Sequence, residues 1–475
     1  MSILAIDQGT TSTRALLADA DGKLQLLGSL THSQHYPAPG YVEHDGEELL
    51  ANVAALIGKA DAKNVGLDNQ GESCLAWDAT DGKPISPVIV WQDDRTADII
   101  AGLEAENIGA EVMARAGLPL DAYFSASKLG WIMRHIPRAR ELAALGRLRL
   151  GTTDAFFRDR LTGRFETDIA TASRTSLLDL EKCQWNAELC RIFGVPIECL
   201  PQITATSGDL GRLADGKQLA ASIVDQQAAL YGHGCTKPGE AKITFGTGAF
   251  AQSVTGALIR PDARHGPLPT IAWKKPGEAV CYALDGGVYA AAAAVNWARE
   301  IGLFSDYSEI NAFNEKAGIE RGLAFIPALA GLGCPHWNRA ARGAFMGLSL
   351  ASRKQDMMQA LLEGIALRSI ELLDAMQKEQ TFSGPISIDG GLSRNEYFIR
   401  FLAETANCDF SISEEAEVTA LGLVHMIIDS EGLEIPKPYK RRRFEVAKAK
   451  DRKRRQAHFQ AAVTAVAAFG SALSV

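Results

Sequence analysis

The chain has 475 residues, 47% of them hydrophobic and 22% charged, which is ordinary for folded protein and long enough for two or three domains with buried cores. Its formal net charge of −8 argues against nucleic acid as the main partner, and no uninterrupted apolar run approaches the ~20 residues that cross a bilayer. Eight scattered cysteines without a CxxC pair, and an opening segment, MSILAIDQGT, that lacks a basic leader, predict a cytoplasmic protein with reduced thiols.

The opening residues read as a β-meander. SILAID, TRALLAD and LQLLGSLTH are apolar runs separated by the turns QGTTS and ADG. DGEELLANVAALIGKA then carries apolar residues at helical spacing after an Asp-Gly start. NVGLDNQ and PVIVWQD read as further strands. SIVDQQAALYGHG is an apolar strand running into a helix, with Asp225 in the N-cap role. A second passage resembles the opening in kind. EAKITFGTGAFAQSVTG is a strand, a Gly-Thr-Gly turn and a strand; ISIDGGLSRNEYFIRFLAETANCDFSI gives a strand, a glycine pair and an amphipathic helix. A glycine-and-hydroxyl turn after a strand in both halves predicts two related α/β domains facing one cleft, residues 1–233 and 234–475. Near the C-terminus, KPYKRRRFEVAKAKDRKRRQAHFQAAVTAVAAFG is dense in Lys and Arg. Those cations are interleaved with Phe444, Val446, Ala447 and Ala449 in an acidic chain. They predict a solvated connector leading into a packed terminal helix, QAAVTAVAAF, in preference to a nucleic-acid or membrane patch.

Successive backbone N–H groups in a tight glycine turn form a concave donor site for anionic oxygens. In the first hairpin Thr10, Thr11, Ser12 and Thr13 add hydroxyls, and Arg14 adds a charge. Asp7, at the end of the preceding strand, suits a hydrated Mg²⁺ beside a phosphate. No GxxxxGK[ST] occurs, so this is not a P-loop, and a plain hairpin would carry the same residue types. Gly246, Thr247 and Gly248 would let backbone approach a phosphate from the other side. Gly390 and Gly391 suit close approach of a flat adenine or a ribose. Three such turns predict a nucleotide clamped between two domains. Asp225 is either a cap spent on backbone N–H groups or a general base for phosphoryl transfer to a hydroxyl, and its position leaves both open.

Several segments, in order, carry a resemblance to a known family. They are DQGTTSTR, YPAPGYVEHDGEEL, GKPISPVIVWQDDRT, YFSASKLGWIMRH from Tyr123 to His135, FIPALAGLGCPHWNRAARG, GAFMGLSLASRKQDMMQALLE from Gly343 to Glu363, IDGGLSRN and EVTALG. Over almost its full length the chain resembles the FGGY carbohydrate kinases, and within that family it is most similar to the glycerol kinases. The resemblance implies an actin-like (ribonuclease H-like) fold of two α/β domains, each a mixed five-stranded sheet with flanking helices. It implies ATP as phosphoryl donor, Mg²⁺, and a small neutral polyol or sugar as acceptor, with domain closure excluding water. By resemblance Asp225 is the catalytic base, and Asp7 with Asp225 attends the metal. Thr10, Thr11, Ser12 and Arg14 attend the phosphates, with Gly246, Thr247 and Gly248 closing over them. Gly331 lines the nucleotide cleft beside Gly390. Gly391 and Asn395 sit at the adenine, and Asn296 stands where glycerol kinases usually carry Gln. The acceptor pocket would be Gly71, Glu72, Trp91, Tyr123, Asp225, Gln226 and Phe250. The family resemblance also allows a homo-oligomer, although no stretch of the chain marks an interface.

One departure stands in that pocket. Glycerol kinases carry NQRET, whose Arg and Glu both bond glycerol; here the segment is NQGES, with Glu72 kept and Gly71 at the Arg position. An Arg is bulky and brings a fixed fork of donors. Its loss removes a charge-assisted bond of roughly 1.5–3 kcal/mol and is expected to open space. Either water or a nearby Arg fills the gap and glycerol is still accepted, or a longer polyol of four or five carbons uses the volume. Trp91 and Phe250 keep an apolar wall, Glu72 and Asp225 supply acceptors, and no cationic site is evident, which disfavours a sugar acid. Glycerol is the leading acceptor, with a tetritol, pentitol or ketose as the alternative. A third class, an actin-like ATPase without an acceptor, is opposed by the retained pocket residues and both signatures.

Overall fold

The computed structural model describes residues 2–19, 22–261, 266–313, 316–435, 441–444 and 447–472. The opening meander forms from strands Ile3–Gln8, Ser12–Ala18 and Leu24–Thr31, antiparallel neighbours in a five-stranded mixed sheet. On the other side of Ile3–Gln8 lie Asn64–Asn69 and then Gln218–Val224, both running parallel to it. Parallel neighbours need crossovers, and the helix Gly46–Ile57 lies in the first of them. Asp45 caps it by accepting from the Glu47 and Glu48 N–H groups, and Leu49, Leu50, Val53, Leu56 and Ile57 are buried at helical spacing. The register pairs Asp7 with Asp68, Gln8 with Asn69 and Val224 with Asn69, so the three parallel strands end level. Ligands of open α/β sheets bind in the crevice beyond such carboxyl ends.

The second sheet repeats this plan. Ala241–Phe245, Ala249–Gly256 and Cys281–Val288 form an antiparallel meander, and Ile386–Gly390 and Phe410–Ser413 continue in parallel beyond Ala241–Phe245. Strand for strand, order and direction match the first sheet. The FGTGAF turn therefore occupies in the second sheet the place of DQGTTSTR in the first. Leu268–Trp273 and Arg441–Phe444 add an edge strand on either side, so this sheet has seven strands where five were expected.

The strand expected across PVIVWQD shortens to Val88–Ile89, within an antiparallel four-stranded sheet that also contains Glu43–His44, Cys74–Asp78 and Leu148–Thr152. The Val90 N–H still donates to Val42 O across from it, but the Trp91 N–H turns to the Ser73 hydroxyl and leaves the ladder. The expected basic connector is also more ordered. Arg441–Phe444 pairs antiparallel with Phe410–Ser413 as a cationic edge. The terminal helix starts earlier than QAAVTAVAAF, running Arg452–Ala472, with Phe459, Ala462, Val463 and Val466 buried along one face. Val446 and residues 436–440 of that stretch lie outside the described residues. Among the described residues no helix is long and apolar enough to cross a membrane.

One hydrophobic core joins Ile3, Ala5 and Val224 to Leu423, Val424 and Ile427. The helix Val418–Ser430 reaches the first sheet there and crosses the helix Asp225–Gly232. Glycine makes the crossing close. A Cβ on Gly422 would stand 1.8 Å from Ala228 O, and one on Gly232 would stand 2.0 Å from Val418 O.

Candidate active site

Beyond the level strand ends lies a narrow slot of about 80 Å³. Glu72, Trp91, Tyr123, Asp225, Gln226 and Phe250 all line it, and Gly71 does not. Gly71 and Glu72 have left-handed φ of +50° and +48°. Glycine adopts that at no cost, whereas strain of this kind at a residue such as Glu72 is worth roughly 1–3 kcal/mol and is tolerated where the surroundings enforce it. A Cβ on Gly71 would stand 2.8 Å from Val224 Cγ2. The space expected from the missing Arg is therefore not open, because Val224 fills it.

The slot does hold a cation, contrary to the expectation from sequence. Arg174, at the C-terminal end of the short helix Ile169–Ser173, lines it together with Asp285 and Gln252 of the second sheet. Its Nε donates to Glu72 Oε1 at 2.8 Å, and its Nη1 stands 3.3 Å from Asp285 Oδ2. The only sequence signal for Arg174 is a lone charge in the otherwise small and apolar run IATASRTSLL, where a buried cation must find partners. Lys128 was missed for the same reason. It is fully buried, and its Nζ donates to Tyr123 O at 2.7 Å and Trp91 O at 3.3 Å, so one amine holds both aromatic-bearing loops. The Trp91 and Tyr123 rings meet edge-on at 5.6 Å, and Trp91 Nε1 donates to Thr10 Oγ1 at 3.0 Å, tying the apolar wall to the first hairpin.

Asp225 is the first residue of its helix and Val224 is the N-cap. The Asp225 carboxylate accepts from the Gln226 N–H at 2.6 Å, and a second oxygen remains for chemistry. Burial, with Glu72 and Asp7 adding like charge, pushes its pKa up to about 7. The buried Lys242 opposes that shift, and its Nζ also holds the Gln226 side chain at 2.7 Å. Burial raises the Glu72 pKa as well, against the pull of Arg174. Asp7 is raised by burial, and Asp68 beneath it is raised well above the usual range by burial and by the Asp7 and Asp225 charges. Both Asp68 oxygens are buried without a hydrogen-bond partner. Asp7 and Asp68 interact closely at the strand ends, and such hard oxygen donors suit a Mg²⁺ ion, which keeps most of its water and takes one or two carboxylates plus phosphate oxygens.

In the first hairpin the Gly9 N–H closes the turn on Ser12 O at 3.0 Å, and Thr10 O accepts from His32 Nε2 and Gln34 Nε2. Thr11 is exposed and Ser12 half-buried. Arg14 does not stand free beside the turn: its Nη1 bonds both oxygens of Glu417 at 2.8 and 2.6 Å. In the second sheet the Gly246 and Thr247 carbonyls accept from Ala292, Ala291 and Ala293, docking that turn on the helix Ala292–Glu300. A Cβ on Gly248 would stand 2.7 Å from Val288 O, and one on Gly390 2.3 Å from Phe245 O. Phe245 pairs with Gly390, so the two glycine turns emerge side by side. Gly391 has open space where its Cβ would be, and Asn296 is exposed on the docked helix, bonded to the Tyr307 hydroxyl. Asn395 caps the helix Glu396–Thr405 by accepting from the Phe398 N–H, and it donates to Ile310 O. Gly331 is buried in a separate loop with φ +86°, against the Arg339 backbone.

Residues 2–226 match the N-terminal domain of the FGGY family of carbohydrate kinases, and residues 241–426 match its C-terminal domain. A glycerol kinase of Citrifermentans bemidjiense is 39% identical over 439 residues, 88% of each chain. One of Burkholderia multivorans is 37% identical over 443 residues, 89% of this chain and 88% of that protein. Among solved structures, Plasmodium falciparum glycerol kinase with ADP superposes with a TM-score of 0.88 over 98% of each chain at 28% identity. A ligand-bound xylulose kinase from Lactobacillus acidophilus, at 21% identity and a TM-score of 0.85 over 100% of this chain and 98% of that one, shares the fold. Two repeated sheets with paired glycine turns, and both domain matches in order over most of the length, agree: the chain belongs to the FGGY family of carbohydrate kinases.

Proposed function

We propose that the protein transfers the γ-phosphoryl group of ATP to a terminal hydroxyl of glycerol, giving glycerol 3-phosphate and ADP. The size and lining of the slot carry this reading. At roughly 10–15 Å³ for each water-sized site, about 80 Å³ favours a three-carbon polyol over a longer one. Trp91, Tyr123 and Phe250 offer apolar faces to a carbon chain, while carboxylates and amides offer partners to its hydroxyls. Glu72, Asp225 and Asp285 outnumber the single guanidinium of Arg174, which favours a neutral acceptor over an anionic one.

The Asp225 carboxylate accepts the proton of the attacking hydroxyl as that oxygen bonds the γ-phosphorus. The bond from that phosphorus to the bridging oxygen breaks, and ADP leaves with the electron pair. A base held near pH 7 is substantially ionised at neutrality and still basic enough to take the proton. Gln226, steadied by Lys242, and Glu72 orient the acceptor. Asp7 and Asp225 would hold Mg²⁺, which when bound neutralises phosphate charge. Thr10, Thr11 and Ser12 on one side and Gly246, Thr247 and Gly248 on the other would cradle the phosphates. Gly391 and Asn395 would sit at the adenine, with Asn296 exposed nearby on the docked helix.

The test is ADP release with Mg-ATP across glycerol, erythritol, pentitols and ketoses. Glycerol should give the highest kcat/KM. A pentitol or ketose turned over far better would replace glycerol as the acceptor, and ADP release independent of any acceptor would favour a plain ATPase.

A further inference from the structure

We infer that Arg174 is the acceptor-binding cation of this enzyme and sets the length of acceptor it takes, in place of an Arg at position 71; this rests on the polyol-kinase reading above. Arg174 Nη1 is buried, lies 3.3 Å from Asp285 Oδ2 without hydrogen-bond alignment, and has no hydrogen-bond partner. A buried guanidinium N–H that lines a polar slot and bonds nothing is a donor waiting for a ligand oxygen. Its Nε is fixed on Glu72, so the fork is already oriented.

The position along the slot follows from a second cavity of about 40 Å³ that adjoins the first. Arg174, Asp285, Tyr123 and Phe250 line both spaces, while Asp225 and Gln226 line only the first. Arg174 therefore stands at the end remote from the base, where the hydroxyl that is not phosphorylated must lie. Tyr123, Phe250, Arg174 and Asp285 therefore mark the boundary between the two cavities. A longer acceptor has to pass it.

Gly71 and Val224 make the arrangement exclusive. Val224 Cγ2 occupies the space any side chain at 71 would enter, and φ of +50° there disfavours one regardless. An Arg at 71 is compatible with the slot only if Val224 is also cut back.

The experiment measures kcat and KM for glycerol, propane-1,2-diol and erythritol in wild type and Arg174→Lys. Lysine keeps the charge but not the fork. Losing one charge-assisted bond should raise KM for glycerol roughly 10- to 100-fold. The same change should leave propane-1,2-diol, which lacks the far hydroxyl, nearly unaffected, and should move the preference toward erythritol. An equal loss for glycerol and the diol, or no loss for either, overturns the inference while leaving the kinase reading intact; wild type inert toward every polyol defeats the reading itself. Should Arg174→Lys fail to fold, the Gly71→Arg pair of variants decides. Gly71→Arg alone should lose activity and melting temperature, and adding Val224→Gly should restore both in part. Gly71→Arg alone behaving as wild type overturns the coupling.

Discussion

An alanine at Gly422 asks whether the crossing of the two glycine-bearing helices positions Asp225, the proposed general base. Its methyl carbon would stand 1.8 Å from Ala228 O and 2.6 Å from Ala228 C. A relaxed carbon–oxygen contact is about 3.4 Å, so the helices must part by about 1.6 Å, the difference between the two. Parting is resisted, because Leu423, Val424 and Ile427 are packed in the shared core beneath the first sheet. Overpacking of this kind costs roughly 1–3 kcal/mol, and at about 2–4 °C per kcal/mol the melting temperature should fall by several degrees. Ala228 lies in the same first turn as Asp225, so the shift reaches the carboxylate. A misplacement of about 1 Å at a reacting group costs on the order of 100-fold in rate. Steady-state ADP release and thermal unfolding together read the outcome: kcat falls by that factor while KM for ATP changes little. The clash is with the Ala228 carbonyl, so adding Ala228→Gly should not rescue it. Wild-type kcat and melting temperature in Gly422→Ala, or rescue by the second change, would refute the reasoning.

Two further outcomes follow from the site and its surroundings. Asp225→Asn should lower turnover by roughly 10²–10⁴-fold while ADP still raises the melting temperature, and loss of that stabilisation together with turnover would make Asp225 a structural residue. His44 and His425 are buried, and burial first, then neighbouring His32 and His35 in one case and Arg441 in the other, holds their pKa values down to about 3 and about 4. Both are neutral in the fold and titrate near 6.5 when unfolded, so the stability present above pH 6.5 is lost as pH falls through 6.5 toward those lower values. At pH 5 each contributes about 2 kcal/mol of destabilisation. The urea midpoint at pH 5 should therefore lie well below that at pH 7.5, and His44→Asn with His425→Leu should shrink the gap; an unshrunk gap would assign it to other groups.

The meander and the repeated glycine turns were legible because local signals decide them: apolar runs bounded by turn residues, and glycine where backbone must approach. The strand-for-strand repetition of the two sheets was visible only as similar turns, since strand order depends on pairings between distant segments. Composition also hid the seventh strand, because Arg441–Phe444 is cationic and joins the sheet as an edge. The substrate slot divided in the same way. Glu72, Trp91 and Asp225 follow strand ends or signature segments, whereas Arg174 meets Glu72 across 102 positions and no local pattern announces it. Gly71 was read as open volume because a sequence shows what a residue lacks and not which neighbour fills the gap. Asn395, expected at the adenine by family likeness, also caps the helix Glu396–Thr405 in the structure, a role that its place directly before the helix serves.

Recognition and chemistry share residues in this slot, and that constrains how acceptor specificity can vary. Glu72 accepts from Arg174 and is one of the two charges that raise Asp225 to about 7. Arg174 in turn opposes the upward shift that burial gives the Glu72 carboxyl. Loss of the positive charge at 174, which a lysine would retain, would favour protonation of Glu72, and a neutral Glu72 would let the Asp225 pKa fall. The arginine then contributes to base strength without touching the proton that moves. A kinase of this architecture can give up an Arg at position 71 with little chemical penalty, because that side chain would bind acceptor alone. It cannot give up the one at 174 so readily, since Glu72, Asp285 and the strength of Asp225 all depend on it.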